Sequence, residues 1–200
     1  MKIIVVGATG TIGSKVVEAL LVRHDVVGVA RSAKIRVDLD EPATTRELFE
    51  RVHDVDAVIS CAGNAEFKPF AELTDADYEI GLRSKLMGQV ALARIAKDHL
   101  RVGGSITLTS GTLSMEPIPG SASISMVNAG LEGFVRAAAL ELPRKLRINS
   151  VSPPWVKETM VKLGIDPTSG LAAADVAKAY LAAVESSHQG KIFHPREFCG

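Results

Sequence analysis

The sequence has few cysteines, no surplus of charge and no long apolar segment. Its two cysteines, Cys61 and Cys199, lie far apart and show no metal-ligand spacing. Lysine plus arginine equals aspartate plus glutamate at 23 each, which argues against nucleic acid or an anionic membrane surface as the main partner. No apolar run approaches the roughly 20 residues that a membrane-spanning helix needs. Because a core strand begins at Lys2, we also expect no signal peptide and a soluble, cytoplasmic protein.

The N-terminal segment carries the most informative pattern of the chain. Lys2–Val6 is typical of a buried strand, and Gly7, Gly10 and Gly13 follow it before a helical pattern over residues 15–21. Gly7 permits a tight turn, Gly10 lets backbone N–H groups approach a phosphate, and Gly13 lets the helix pack closely on the strand. The G-x-x-G-x-x-G spacing differs from the usual dinucleotide fingerprint. The order strand, glycine turn, helix predicts a nucleotide site; a ligand-free turn is the alternative.

Strands and helices alternate along the whole chain, which predicts a doubly wound α/β fold with a parallel sheet, in one domain over residues 1–200. The predicted strands are Lys2–Val6, Val26–Ala30, Ile35–Val37, Asp56–Ser60, Ser105–Thr109, Arg147–Val151 and Lys191–His194. After the first helix, the predicted helices are Thr44–Val52, Asp75–Leu100, Ala129–Leu142 and Asp175–Ser186. Too few residues separate strands two and three for a crossover helix. Either that helix is missing and strand three is a shortened edge, or the chain makes a compact turn.

Several segments, taken in order, resemble the short-chain dehydrogenase/reductase family. They are the glycine turn, Cys61-Ala62-Gly63 in place of the family's Asn-Ala-Gly turn, and residues 103–110, 129–136 and 148–153. The resemblance covers nearly the whole chain. It implies a Rossmann-type fold, a nicotinamide cofactor and a small-molecule substrate. It also implies a homodimer or homotetramer formed through the two long helices.

The end of the second strand favours NADP over NAD as the cofactor. An acidic residue there would bind the ribose 2′-hydroxyl of NAD, but Ala30 is followed by Arg31 and Ser32. These two side chains can hold a 2′-phosphate by charge-assisted hydrogen bonds, and a solvated loop arginine is the alternative. The resemblance extends the expected cofactor contacts along the chain. The full set is Gly7, Thr9, Gly10, Thr11, Ile12, Gly13, Arg31, Ser32, Asp38, Leu39, Ala62, Gly63, Asn128 and Val156.

The resemblance ends at the catalytic residues. The family places a Tyr-x-x-x-Lys pair at the start of a helix, so that the lysine lowers the pKa of the tyrosine phenol. Neither Tyr78 nor Tyr180 is followed by a lysine four residues later. The aligned tyrosine, lysine, serine and asparagine positions carry Ile124, Asn128, Gly111 and Lys85. We therefore expect an atypical member of the family.

Lys85 and Ser110 are the candidate substitutes for the missing catalytic residues. A desolvated lysine has a lowered pKa and can act as an acid or a base, whereas a salt-bridged or surface lysine is the alternative. The Ser110 hydroxyl can polarise a carbonyl, and Trp155 either forms a wall of the substrate pocket or packs in a loop. Three functions stay open: an NADPH-dependent reductase, a catalytically silent NADP(H) sensor, and a scaffold that has lost the cofactor. The glycine turn and Arg31 argue against the scaffold.

Overall fold

The computed structural model describes residues 1–199 and contains one six-stranded parallel sheet. The strands, in the order β2-β1-β3-β4-β5-β6, confirm the predicted doubly wound α/β fold. Their bounds are β1 Lys2–Val6, β2 Asp25–Val29, β3 Val55–Ser60, β4 Leu100–Thr109, β5 Arg147–Val151 and β6 Ile192–Phe193.

Helices cover both faces of the sheet. They are α1 Thr11–Leu20, α2 Pro42–Arg51, α3 Asp75–Gly81, α4 Gly88–His99, α5 Ala122–Ala138, α6 Lys157–Lys162 and α7 Ala173–Glu185. Successive strand residues point to opposite faces, so Ile3 and Val5 pack under α1 and α7, while Ile4 and Val6 belong to the core under α2, α4 and α5. In residues 1–199 no helix is both long and apolar enough to cross a bilayer.

The third predicted strand is wrong. Residues 35–37 contribute only a single parallel bridge, between Ala30 and Arg36, next to a hydrogen bond from the Val37 amide to the Ala30 carbonyl. The chain turns directly from β2 into this bridge, because so short a connection cannot form the crossover that a full parallel strand requires. The sheet therefore ends at β2, and Val37 and Leu39 cover its edge as buried core residues.

Two predicted helices have different bounds. The expected continuous helix over residues 75–100 is interrupted by a π-helical segment, Leu82–Met87, between α3 and α4. Helix α5 begins at Ala122 instead of Ala129, because Ser123 and Val127 are fully buried and extend its packed face. Helix α6 was absent from the prediction altogether. These differences all fall beside the candidate site.

The sheet topology places a crevice between β1 and β3. The chain leaves β1 towards β2 on one side and continues from β3 towards β4 on the other, so the connections diverge at the carboxyl ends of β1 and β3. The Gly7 amide bonds the Val29 carbonyl at 2.8 Å, and the Cys61 amide bonds the Val6 carbonyl at 2.8 Å. These bonds hold the glycine turn and the segment after β3 side by side.

Candidate functional site

The glycine turn leaves a row of backbone donors free at the start of α1. Gly7 adopts a φ of +83°, and a Cβ on Gly13 would stand 2.0 Å from the Gly7 carbonyl oxygen, so the tight turn and close packing predicted for these glycines are confirmed. Within residues 1–199 the amides of Thr11, Ile12 and Gly13 form no hydrogen bond, and the first turn of α1 has no acidic residue. The positive end of the helix dipole is therefore open to an anion.

A cavity of about 270 Å³ opens beside this turn. Its wall comes from the segments that follow β1, β2 and β3, which are distant in sequence and meet at the crevice. Nine of the expected cofactor residues line it: Gly7, Thr9, Gly10, Arg31, Ser32, Asp38, Leu39, Ala62 and Gly63. Thr11 and Gly13 lie outside the wall, on the adjoining turn of α1.

Two arginines near this cavity differ in their partners. Arg36 forms two hydrogen bonds of 2.9 Å with the Glu41 carboxylate and lies 3.5 Å from Asp38. Arg31 is exposed at the cavity wall and forms no ion pair within the described part of the chain. The charge of Arg36 is thus compensated, whereas the charge of Arg31 is available to an anion in the cavity.

A second cavity of about 200 Å³ adjoins the first, since Ser84 lines one and its neighbour Lys85 lines the other. Apolar side chains make up most of its wall, and the four aligned catalytic positions converge on it. The expected site residues found there are Ile12, Lys85, Ser110, Gly111, Ile124, Asn128 and Val156.

Lys85 lies in the π-helical segment and packs against Gly63 of the first cavity. A Cβ on Gly63 would stand 2.9 Å from the Lys85 Cα, so glycine at this position brings the two cavities into contact. The Lys85 ammonium has no ion-pair or hydrogen-bond partner in residues 1–199, and burial lowers the pKa of Lys85 to about 8. Within these residues Lys85 therefore forms no salt bridge. Short π-helical segments are frequent at functional sites.

Asn128 presents a buried acceptor without a partner. Its side chain is 1% exposed and lines the second cavity, and its Oδ1 atom accepts no hydrogen bond within residues 1–199. A buried carboxamide oxygen without a donor is costly, so the site is suited to a ligand hydroxyl or ammonium at this point.

The Ser110 side chain is hydrogen-bonded to a buried carboxylate, which the sequence did not identify as part of the site. Its hydroxyl donates to Glu132 Oε1 at 2.9 Å, and the hydroxyls of Ser114 and Ser152 donate to the same oxygen at 2.8 and 3.4 Å. The Ser110 proton is therefore committed inside the protein rather than offered to the cavity. Glu132 is 3% exposed and stands four residues after Asn128 on the same face of α5. That spacing is the one signal that could have identified it.

Trp155 forms part of the wall between two cavities. It lines the second cavity and a third one of about 490 Å³, and its ring meets Phe67 edge-on with centroids 5.6 Å apart. Thr112, Leu113 and Pro154 are also shared by the two cavities. The third cavity thus extends the second outward, along a wall that mixes apolar residues with polar ones such as Glu116, His194 and Arg196.

Comparisons with known proteins agree with this architecture. Residues 4–189 match a family model described as enoyl-(acyl carrier protein) reductase. The hydroxynaphthalene reductase-like protein Arp2 of Metarhizium brunneum is 32% identical over 137 residues, which are 66% of this chain and 51% of that protein. The chain therefore spans about half the length of the curated relatives it matches.

Two solved structures share the fold over almost their full length. The protein lin1944 from Listeria innocua superimposes with a TM-score of 0.92 at 36% identity, covering 97% of this chain and 98% of that one. A small-chain dehydrogenase in complex with NADPH gives a TM-score of 0.85 at 24% identity, with 97% and 95% covered. At that identity the second likeness concerns the fold alone.

Proposed function

The chain belongs to the short-chain dehydrogenase/reductase family, and from this premise we propose that it is an NADP(H)-dependent oxidoreductase acting on a small apolar molecule. One observation carries the proposal. A cavity that lies beside the free amides of α1 and is lined by the uncompensated Arg31 adjoins a second cavity, whose wall includes the unpaired Lys85. Cofactor and substrate sites must be joined in this way for a hydride to pass between them.

The residues of the two cavities and of the first turn of α1 fit an NADP(H) molecule. Arg31 and Ser32 would bind the 2′-phosphate, and the free amides at the start of α1 would bind the pyrophosphate. Asn128 has the unpartnered oxygen that a ribose hydroxyl would satisfy. When bound, the reduced cofactor supplies a hydride.

We assign the proton to Lys85. Reduction of a carbonyl or an activated double bond requires a proton as well as a hydride, and Ile124 offers none at the position aligned with the family's tyrosine. The Lys85 ammonium can donate this proton, and the neutral amine can accept it in the reverse direction. Because the pKa of Lys85 is lowered to about 8, both forms are populated close to neutral pH.

The apolar wall and the single proton donor favour an apolar acceptor that needs little acid assistance, such as a quinone. The wall of the second cavity contains Leu113, Ile124 and Trp155. Lys85 alone takes the place of the tyrosine, lysine, serine and asparagine that the family resemblance would imply. The name of a curated relative, a hydroxynaphthalene reductase-like protein, supports an aromatic substrate.

A second function has an observation in its favour. Ile124, at the position aligned with the family's tyrosine, has no proton to donate. The Ser110 hydroxyl donates its proton to Glu132, so it is not available to a substrate in the cleft either. A protein that binds NADP(H) without turnover, and reports the cofactor's redox state to a partner, would show these features.

Calorimetric titration with NADPH and, separately, NADH tests the proposal. We expect tight binding of NADPH and weak binding of NADH, followed by oxidation of NADPH when quinones are added. Binding without turnover over a broad panel of acceptors would favour the sensor. The absence of binding for both nucleotides would contradict both functions.

A further inference from the structure

A lysine from helix α6 contacts the end of the glycine turn, where helix α1 begins. Lys162 Nζ lies 2.9 Å from Thr11 Oγ1, although the two residues are 151 positions apart in the chain. Within residues 1–199 this ammonium has no carboxylate partner. A lysine whose one polar contact is a neutral hydroxyl keeps most of its charge free for another ligand.

The packing of α6 holds Lys162 at this place. Met160 is buried beneath the helix, and the Glu158 carboxylate accepts the Ala173 amide at 3.0 and 3.1 Å, which joins α6 to the start of α7. The backbone of Lys157 bonds the Leu171 carbonyl at 2.9 Å. Three contacts therefore fix the body of α6, and Lys162 extends from its last turn.

The other lysine near this turn does not offer a free charge to a ligand. Lys15, on the second turn of α1, is 2.6 Å from Glu18 and is compensated by it. Thr11 accepts its hydrogen bond from Lys162 through Oγ1, so its own hydroxyl proton stays available. The ammonium, this hydroxyl and the free amides of Ile12 and Gly13 are then all donors at the first turn of α1.

We propose that Lys162 is a cofactor ligand that binds the pyrophosphate and links α6 to the nucleotide. The inference rests on the proposed function, because it takes NADP(H) as the molecule at the glycine turn. A pyrophosphate diester carries two negative charges, and α1 offers it dipoles but no uncompensated positive charge, because Lys15 is paired with Glu18. Lys162 supplies that charge from helix α6.

The test compares two ligands and three variants of the full chain. NADPH contains the pyrophosphate, whereas adenosine 2′-monophosphate carries only the phosphate that Arg31 would bind. Lys162→Ala should weaken NADPH binding about five- to twentyfold, the range expected for a partly screened charge-assisted hydrogen bond, and leave adenosine 2′-monophosphate binding unchanged. Lys162→Arg should retain most of the affinity. Lys157→Ala, an exposed lysine on the same helix, serves as the matched control.

The outcomes separate this inference from the proposed function. Equal NADPH affinities of the unsubstituted protein and Lys162→Ala would overturn the role of Lys162 alone. An equal loss of affinity for both ligands would also overturn it, because the effect would then not concern the pyrophosphate. Failure of the unsubstituted protein to bind NADPH would overturn both proposals. A reduced salt dependence of NADPH binding in Lys162→Ala would support the inference independently.

Discussion

The carboxamide nitrogen of Asn128 lies 2.8 Å from the point where a Cβ on Gly111 would stand. Gly111 has a φ of 166°, an extended conformation that any residue adopts, so glycine is required here for space and not for backbone freedom. By the family resemblance, position 128 would hold a lysine and position 111 a serine. The two changes are therefore coupled, since the carboxamide fills the room that a serine side chain would need.

Gly111→Ala should destabilise the protein by about 1–3 kcal/mol, the usual cost of overfilling a packed site, because the buried Asn128 has little room to move. Urea unfolding measures the change. Gly133→Ala is the matched control, since a Cβ on Gly133 meets nothing within 4 Å, and it should leave stability equal or slightly higher. Adding Asn128→Ala to Gly111→Ala should recover most of the loss. No recovery in this double variant would contradict the coupling.

Lys85→Met should abolish turnover while changing NADPH affinity less than about threefold, because it removes the proton source and keeps most of the apolar stem. Stopped-flow reduction of a quinone and calorimetry give the two readouts. In the unsubstituted protein the rate of reduction should fall as pH rises through about 8, where the Lys85 ammonium loses its proton. Unchanged turnover in Lys85→Met would remove Lys85 from the mechanism.

The same lysine should give stability a defined pH dependence. Its pKa is about 8 in the folded protein against 10.5 for an ordinary lysine, so unfolding takes up a proton between these values. The destabilisation caused by burying the ammonium is complete below about pH 8 and disappears as pH rises towards 10.5. Lys85→Met should therefore have a higher free energy of unfolding than the unsubstituted protein near neutral pH. The difference between the two proteins should become smaller as the pH rises above about 8. A difference independent of pH would show that Lys85 is not desolvated.

Arg31→Ala should weaken NADPH binding by about ten- to a hundredfold and leave NADH binding unchanged, because only NADPH carries the 2′-phosphate. Calorimetric titration with each nucleotide measures this. Arg36→Ala is the control, since the charge of Arg36 is already compensated by Glu41. An equal loss for both nucleotides in Arg31→Ala would place this arginine elsewhere in the site.

Glu132→Ala should lower the free energy of unfolding by about 2–4 kcal/mol, because it leaves buried serine hydroxyls without their acceptor and creates a void. Glu132→Gln keeps an acceptor oxygen, so its free energy of unfolding should fall less. Thermal and urea unfolding report the difference, and Glu141→Ala, an exposed glutamate just beyond α5, should have almost no effect. Equal stability of Glu132→Ala and the unsubstituted protein would contradict an anchoring role for this carboxylate.

The sequence by itself determined the fold class and most of the first cavity. The strand Lys2–Val6, the turn at Gly7 and the position of Arg31 after β2 are local patterns, and the carboxyl ends of neighbouring parallel strands must meet at one edge. Local pattern plus this rule brought the glycine turn and residues 31–32 to one cavity, and the family resemblance added Asp38, Leu39, Ala62 and Gly63 to it.

Only the tertiary structure decided the rest. The π-helical turn that carries Lys85, the loss of the strand over residues 35–37, and the carboxylate of Glu132 beneath Ser110 all depend on what packs against them. The Lys162–Thr11 contact joins residues 151 positions apart, and no local periodicity encodes such a pair. Hydrophobic patterning specifies which faces are buried, whereas the partners of individual polar groups follow from the assembled fold.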